Sequence, residues 1–410
     1  MIIEILFWLS VGAIFHSYIL YPLMLAFMAR KKTDNKQVFI ENDELPKVSV
    51  LMSLFNEEEV IAEKLKSIYA SKYPAEKLEI RIGSDNSTDN TNKIVTEFCK
   101  NHPNLFFTIY NSRQGKGNVI NKLYDSSTGE IIILTDANVM FSPTTIFELS
   151  KHFKNSEIGL VDTHMINSRE SIATEGISVQ ESAYISREVK IKNYESRIWG
   201  TMMGPFGGCF AIRKELYFKV PQNFLVDDFY INMKVLEKEK KAINYLNAWV
   251  FEDVSNNLND EFRRKVRIAT GNFQNLKVFS HFLCYLFGAI PKKPLQKRNF
   301  YFGLAFSFFS HKILRWFGPF FILMAIACSI ALYQISLYKY LFLLFCFSLI
   351  LPIIDFLLRK LNIHIVPLRF ITHFYSMNVA LLSGFFKYLK GVKTNVWQPT
   401  KRNQSQKKSA

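Results

Sequence analysis

The sequence predicts an α/β fold: a sheet, mostly parallel and doubly wound, with transmembrane helices toward both ends of the chain. Three observations carry that expectation. The run IIILT at 131–135 is apolar on every residue, as a central parallel strand covered on both faces should be. From Val48 onward, short apolar runs alternate with amphipathic helical patterns across brief polar turns, the rhythm of a parallel sheet. Long apolar stretches lie outside that rhythm, before Arg30 and after Lys312.

Residues 5–29 are long enough to span a bilayer, and Arg30, Lys31 and Lys32 follow at once. No basic residue precedes the run and no small-residue cleavage site closes it. An uncleaved anchor is therefore expected, with residue 30 onward in the cytoplasm. A polar linker ends at Pro46. VSVLMSLF then reads as a strand, and Asn56 with its following glutamates opens a helix carrying Ile61, Leu65 and Ile68 at helical spacing. LEIRIGSD at 78–85 is the next strand, followed by the turn NSTDNT and a helix through Cys99. LFFTIY is a third strand. A basic, Gly-containing turn leads to a helix from Gly117 to Tyr124 and then to the strand at 131–136.

Beyond Pro143 the pattern is less regular. It includes a mixed-charge helix near 175–196, the Gly-rich GPFGGCF and the segment LVDDFYINMKVLEKE. Residues 271–290 are amphipathic and aromatic-rich, which suits the membrane surface. Residues 313–335 and 340–358 are spanning candidates, and Arg359 and Lys360 return the chain to the cytoplasm. Residues 364–390 are long enough for another span but contain Arg369 and two histidines, and the basic tail beyond Lys387 suits the cytoplasm, so either the charge rule fails here or the segment is re-entrant or interfacial. The expected organisation is an anchor (1–32), a cytoplasmic domain (46–270), an interfacial segment (271–312), a C-terminal transmembrane region (313–392) and a basic tail (393–410).

The charge is unevenly placed. From Phe262 onward lie 22 of the 51 Lys and Arg and a single acid, Asp355, which leaves 29 basic and 34 acidic residues before it. The net +16 thus belongs to the C-terminal third. Basic clusters beside apolar runs mark cytoplasmic membrane flanks, and no compact basic module is visible. Membrane lipids are the expected partners, and nucleic acid is not. Cys99, Cys209, Cys284, Cys328 and Cys346 show no metal-ligand or redox spacing, which fits a domain kept in the reducing cytosol.

Open α/β sheets bind ligands outside the carboxyl ends of their strands, where Asp136 and Asn138 fall. In extended backbone the two would project to one side, so both oxygens could hold Mg2+ or Mn2+. A strand end whose Asp and Asn only cap the next turn is the plainer alternative. Asp85 ends the second strand beside the expected cleft, where it can accept from a base N–H or a ribose hydroxyl; Asp89 suits a helix cap. Arg113 and Lys116 sit on a loop with two glycines, which lets backbone and cations approach a phosphate; a solvated basic turn would look the same. Asp227 and Asp228 precede a helix, where the macrodipole favours carboxylates and where one could act as general base. Arg264 and Arg267 are one turn apart on one helix face and could clamp a diphosphate, or could simply belong to a basic membrane-surface cluster.

Taken in order, these pieces resemble the membrane-embedded family 2 glycosyltransferases of GT-A fold, the group that includes the cellulose, hyaluronan and poly-N-acetylglucosamine synthases. VLMSLFNEEE is similar to the family's opening strand. SDNSTDNT is similar to its Asp-rich turn, so Asp85 would contact the nucleotide base. RQGKGNVIN is similar to its Arg–Gly–Lys loop, which puts Arg113 and Lys116 near the donor. Asp136-Ala137-Asn138 stands where the Asp-x-Asp metal motif belongs. GPFGGCFAIR, with Gly207 and Gly208, resembles the acceptor-side segment, and Asp227-Asp228 the base motif, with Asp228 as base. The resemblance implies an inverting hexosyl or N-acetylhexosaminyl transferase of the inner (plasma) membrane, multi-pass with its catalytic domain in the cytoplasm. It would move sugar from a UDP-sugar to a lipid-linked or glycan acceptor and take Mg2+ or Mn2+.

The sequence departs from the pattern twice. Asn138 replaces the second carboxylate, which should weaken the cation site without removing it. Where processive members carry Gln-x-x-Arg-Trp, the corresponding residues are Arg264, Arg267 and Ile268, so the ring that would stack on a growing chain is missing. Single transfer is thereby favoured over a processive β-linked polysaccharide synthase. Asn138 is the one feature in favour of a catalytically lapsed scaffold.

Overall fold

The structure, a computed structural model, describes residues 1–167, 177–252, 258–288, 297–361, 363 and 365–394. Helices α1 (Ile2–Phe15) and α2 (Tyr21–Met28), joined by a π-helical turn, lead through the linker to β1 (Val48–Leu54). Then come α3 (Ile61–Tyr69), β2 (Leu78–Asp85), α4 (Thr91–Asn101), β3 (Leu105–Tyr110), α5 (Lys116–Ser126) and β4 (Ile131–Thr135). These four strands lie in the order β3-β2-β1-β4 and are parallel throughout, as the alternation predicts. The apolar run of β4 has a direct cause. Ile131 and Ile133 join the core beneath α3, while Ile132 and Leu134 join the core on the opposite face, against Val119, Ile120 and Leu123 of α5. Burying each such side chain stabilises the fold by roughly 1.5–3 kcal/mol.

The second half of the sheet is mixed. It comprises β5 (Val139–Phe141), β6 (Ile158–Asn167), β7 (Cys209–Arg213) and β8 (Lys241–Glu252), with α6 (Thr145–Ser150) after β5, α7 (Ile177–Ile198) after β6 and α8 (Asp227–Glu237) after β7. The full order is β3-β2-β1-β4-β7-β6-β8-β5. β7 runs antiparallel to both β4 and β6, β8 parallel to β6, and β5 antiparallel to β8. Since β7 is antiparallel to β4, it starts where β4 ends: Cys209 pairs with Thr135. The Gly-rich segment that feeds β7 is thereby brought to the same sheet edge as Asp136.

Helix α9 (Leu258–Phe279) runs straight across the boundary expected at residue 270. Its later turns do not lie bare at a membrane surface: Phe273 and Phe279, with Phe282 beyond, are buried in the second core cluster beside Tyr230 of α8. Residues 289–296, the end of the expected interfacial stretch included, lie outside the described residues, as do 395–410 of the basic tail and 168–176 before α7. Helices α10 (Arg298–Ser307), α11 (Leu314–Trp316), α12 (Gly318–Ala331), α13 (Ser336–Lys360) and α14 (Val366–Leu389) complete the chain.

By length and composition, Ile2–Lys31 and Ser336–Lys360 can cross a membrane. Arg298–Trp316 and Gly318–Ala331 form a pair bent by 61°, a third candidate if the two are one broken span. A straight span at 313–335 is therefore not present. The chain breaks at Phe317, and Gly318 and Pro319 open a 14-residue helix that is too short to cross alone. α14 is not among the candidate spans and lies along α9, with Gly384 against Ala269 and Phe385 against Phe273.

Candidate active site

Asp136 leaves the end of β4 and enters a turn, not an extension of the strand. Its N–H donates to the carbonyl of Gly208 at 2.9 Å, and the Thr135 hydroxyl donates to the same carbonyl at 3.2 Å. Because residues 137 and 138 turn, the extended-strand argument for a shared cation does not apply. Asp136 meets the Lys116 ammonium at 2.6 Å. Asn138 is buried and donates its Nδ2 to Glu252 Oε1 at 2.7 Å. This explains the departure from Asp-x-Asp: a carboxylate at 138 would stand against that of Glu252. Asn138→Asp is accordingly expected to destabilise the fold by about 1–3 kcal/mol, read as a fall in denaturant midpoint.

Lys64 lies beneath the turn and was not foreseen. It is fully buried and donates to Thr135 Oγ1 at 2.9 Å and to the Val139 carbonyl, with its ammonium 3.5 Å from the Phe141 ring centroid. The cation thus grips both ends of the turn that bears Asp136. Burial pulls it down to about 7, against the attraction of Cys209 and Asp136. The sequence does carry a signal: with Ile61, Leu65 and Ile68, Lys64 falls on the inward stripe of an amphipathic helix.

On the donor side, Asp85 is buried, and its carboxylate accepts from the N–H groups of Gln114 at 2.6 Å and Gly115 at 3.0 Å and from Arg113 Nε at 3.2 Å. It therefore shapes the basic loop that precedes α5. The Arg113 guanidinium lies over the Phe55 ring. Asp89 stands one residue ahead of Asn90, the N-cap of α4, and accepts from the N–H groups of Thr91 at 3.0 Å and Glu58 at 3.1 Å, so it ties the helix start to the turn after β1 and is not itself the cap. Gly115, at φ +84°, lets the loop turn directly into α5, which brings Lys116 to the sheet edge.

Asp227 and Asp228 open α8. A Cβ built on Gly207 would stand 2.2 Å from Asp228 Oδ2, so the carboxylate lies against bare glycine backbone. Burial and then the charge of Asp227 raise Asp228 to about 6; Lys116, the Phe229 N–H and Lys192 oppose that shift. Burial works against the Lys116 charge, yet Asp136, Asp227 and Asp228 together hold the ammonium above its ordinary range. Arg267 is lowered by burial and by Arg264, and Asp227, Asp228 and Asp136 draw it back. The charges of Asp136, Asp227 and Asp228 thus act on both Lys116 and Arg267. Arg264 sits farther out, paired with Glu261 at 3.3 Å.

The segment between the two carboxylate sites is tied down by β6. Asp162 Oδ1 accepts from the Phe206 N–H at 2.7 Å, and its Oδ2 accepts from Lys192 at 2.9 Å and Asn244 at 3.1 Å. Thr163 Oγ1 donates to the Cys209 carbonyl at 2.8 Å. Asp162 and Lys192 were also missed, because a strand carboxylate and a helix lysine 30 residues apart announce no contact. Gly207→Ala should displace Asp228 by about an ångström and cut transfer roughly 100-fold, with the melting temperature of the fold nearly kept. Parallel rate and melting measurements check this.

Among the described residues, no group of three or more His, Cys, Asp or Glu is arranged to hold a metal ion. The partly exposed Asp136 carboxylate is the hard-oxygen ligand this edge offers. That suits a cation which takes its remaining ligands from water and a donor diphosphate.

Residues 49–220 match the glycosyl transferase family 2 model. A Bacillus subtilis (strain 168) protein described as a probable glycosyltransferase, YdaM, is 26% identical over 85% of this chain and 84% of its own length. The poly-beta-1,6-N-acetyl-D-glucosamine synthase of Staphylococcus epidermidis is 29% identical over 36% of this chain and 38% of its own. The beta-monoglucosyldiacylglycerol synthase of Nostoc sp. (strain PCC 7120) is 31% identical over 32% and 29%. In fold, the chain matches the mannosyltransferase PcManGT from Pyrobaculum calidifontis, described in complex with GDP-Man and Mn2+. The TM-score is 0.67 and the identity 22%, over 94% of this chain and 99% of that one. Residues 49–220 therefore form a glycosyl transferase family 2 domain, in a chain whose fold is of the GT-A type.

Proposed function

We propose that the enzyme transfers a single sugar, with inversion, from a UDP-sugar to a lipid-linked or glycan acceptor at the cytoplasmic face of the inner membrane. The observation that carries this is the raised Asp228 carboxyl, held against Gly207 and within the charge field of Lys116, which itself pairs with Asp136. A base held at about 6 is largely ionised near neutral pH yet still basic enough to take a proton. Asp228 deprotonates the acceptor hydroxyl as it attacks the anomeric carbon. Asp227 keeps the proton affinity of Asp228 high. Lys116 and Arg267 offset the charge that grows on the departing diphosphate, with Arg113 and Arg264 at the rim. Asp85, by fixing the loop at 113–115, sets the bed for the nucleotide, and Gly207 and Gly208 give the acceptor a side-chain-free floor.

Asp136 would hold Mg2+ or Mn2+, which supplies further neutralisation of the leaving diphosphate. The preference for one addition rests on Ile268, which offers no ring for a growing chain. The Nostoc relative, by its name a diacylglycerol glycolipid synthase, supports a membrane-bound acceptor. A second reading, processive polymer synthesis, draws on the Staphylococcus relative. Purified enzyme with a panel of UDP-sugars and Mn2+ tests both. Slow metal-dependent hydrolysis of one donor, and a single-sugar product on membrane acceptors, is the expected result. A ladder of long products would establish the second reading, and inertness across the panel would overturn the UDP-sugar assignment.

A further inference from the structure

Glu195 has no part in the chemistry above, yet it is a fully buried carboxylate near the end of α7. Its Oε1 accepts from the Tyr21 hydroxyl of α2 at 2.8 Å and lies 2.8 Å from His311 Nδ1, in the π-helical turn that follows α10. Its Oε2 accepts from the Met203 N–H at 3.0 Å, immediately before Gly204. The other nitrogen of His311 lies 2.8 Å from Glu188 Oε2, and Arg315 pairs with the same Glu188. Tyr21 and His311 are themselves fully buried. A carboxylate this deep is costly unless every oxygen is matched, and here both are.

The stretch from Met203 to Cys209 hangs from four tethers: Glu195 at Met203, Asp162 at Phe206, Asp136 at Gly208 and Thr163 at Cys209. The last three anchor it to the sheet. The first anchors it to the helices on either side of the catalytic domain that are candidates to enter the membrane. We propose that Glu195 is a positioning residue for glycosyl transfer, seating the acceptor-side segment, and through Gly207 the base Asp228, according to how the N- and C-terminal membrane helices dock on α7. The proposal rests on the transfer reading above. Its physical content is simple: a carboxylate can accept on both sides at once, and an amide cannot.

Glu195→Gln is expected to lower acceptor-dependent kcat roughly 10- to 100-fold. Donor affinity with Mn2+ should stay as in the parent, a split that general loosening of the fold would not give. Tyr21→Phe removes one donor to Oε1 without change of shape and should act in the same direction, more weakly. Should the Gln variant fail to fold, Tyr21→Phe decides. Backbone amide exchange gives a readout that needs no substrate: exchange at 203–208 should quicken in both variants while 131–141 stays protected. Unchanged exchange at 203–208, or a parallel fall of transfer and donor binding, would overturn the proposal. A parent enzyme inert with every sugar nucleotide would count against the transfer reading, and the exchange comparison would still decide the role of Glu195.

Discussion

Asp228→Asn is expected to lower transfer by about 10²- to 10⁴-fold, the contribution of a well-placed general base, with donor affinity kept within a few fold. The amide keeps the size and the seat against Gly207 but cannot take a proton. The parent enzyme should show an acid limb. Transfer rises with pH as Asp228 ionises through about 6 and levels off above it, because the deprotonated form is the active one. Since the charge of Asp227 helps to raise Asp228, Asp227→Asn should move that limb to lower pH. Rate–pH profiles of the three proteins test the assignment. An Asn variant with parental rates would remove Asp228 from the role of base, and a limb that ignores position 227 would deny the coupling.

Asp136→Ala should be the second large loss, about 10²- to 10³-fold in transfer, since it would remove the proposed cation ligand. Here the signature lies in donor binding. Calorimetry with and without Mn2+ should show a difference in the parent and none in the variant. Stability should barely change, because the Asp136–Lys116 pair is partly exposed and such pairs contribute about 0–1 kcal/mol. Donor affinity that still responds to Mn2+ in the variant would place the cation elsewhere.

The half of the fold before Thr135 was legible because each strand announces itself by burial on two faces and each helix by one apolar stripe. Strand direction is another matter. CFAIR of β7 is as apolar as a parallel strand, and its antiparallel sense comes from the segment that feeds it at the Asp136 edge, not from its own residues. The continuity of α9 was obscured because its apolar face serves both the catalytic core and α14, so a change of composition at 270 looked like a border. The break at Phe317 could have been read from Gly318 and Pro319. At the site, the sequence pointed to the carboxylates and cations by type and order. It could not show that Asn138 belongs to Glu252, nor that Lys64 underlies the turn, since both depend on contacts between residues far apart in the chain.

The seam between α9 and α14 has a practical corollary. Gly384 allows the two backbones to touch at Ala269, two residues beyond Arg267, and Phe385 and Tyr388 roof over Phe273. A shortened polypeptide ending ahead of Val366 would strip that roof and leave a sticky aromatic flank beside Arg267. Excising the catalytic half to make it water-soluble should therefore yield aggregates, whereas solubilising the intact chain in detergent keeps the flank sealed.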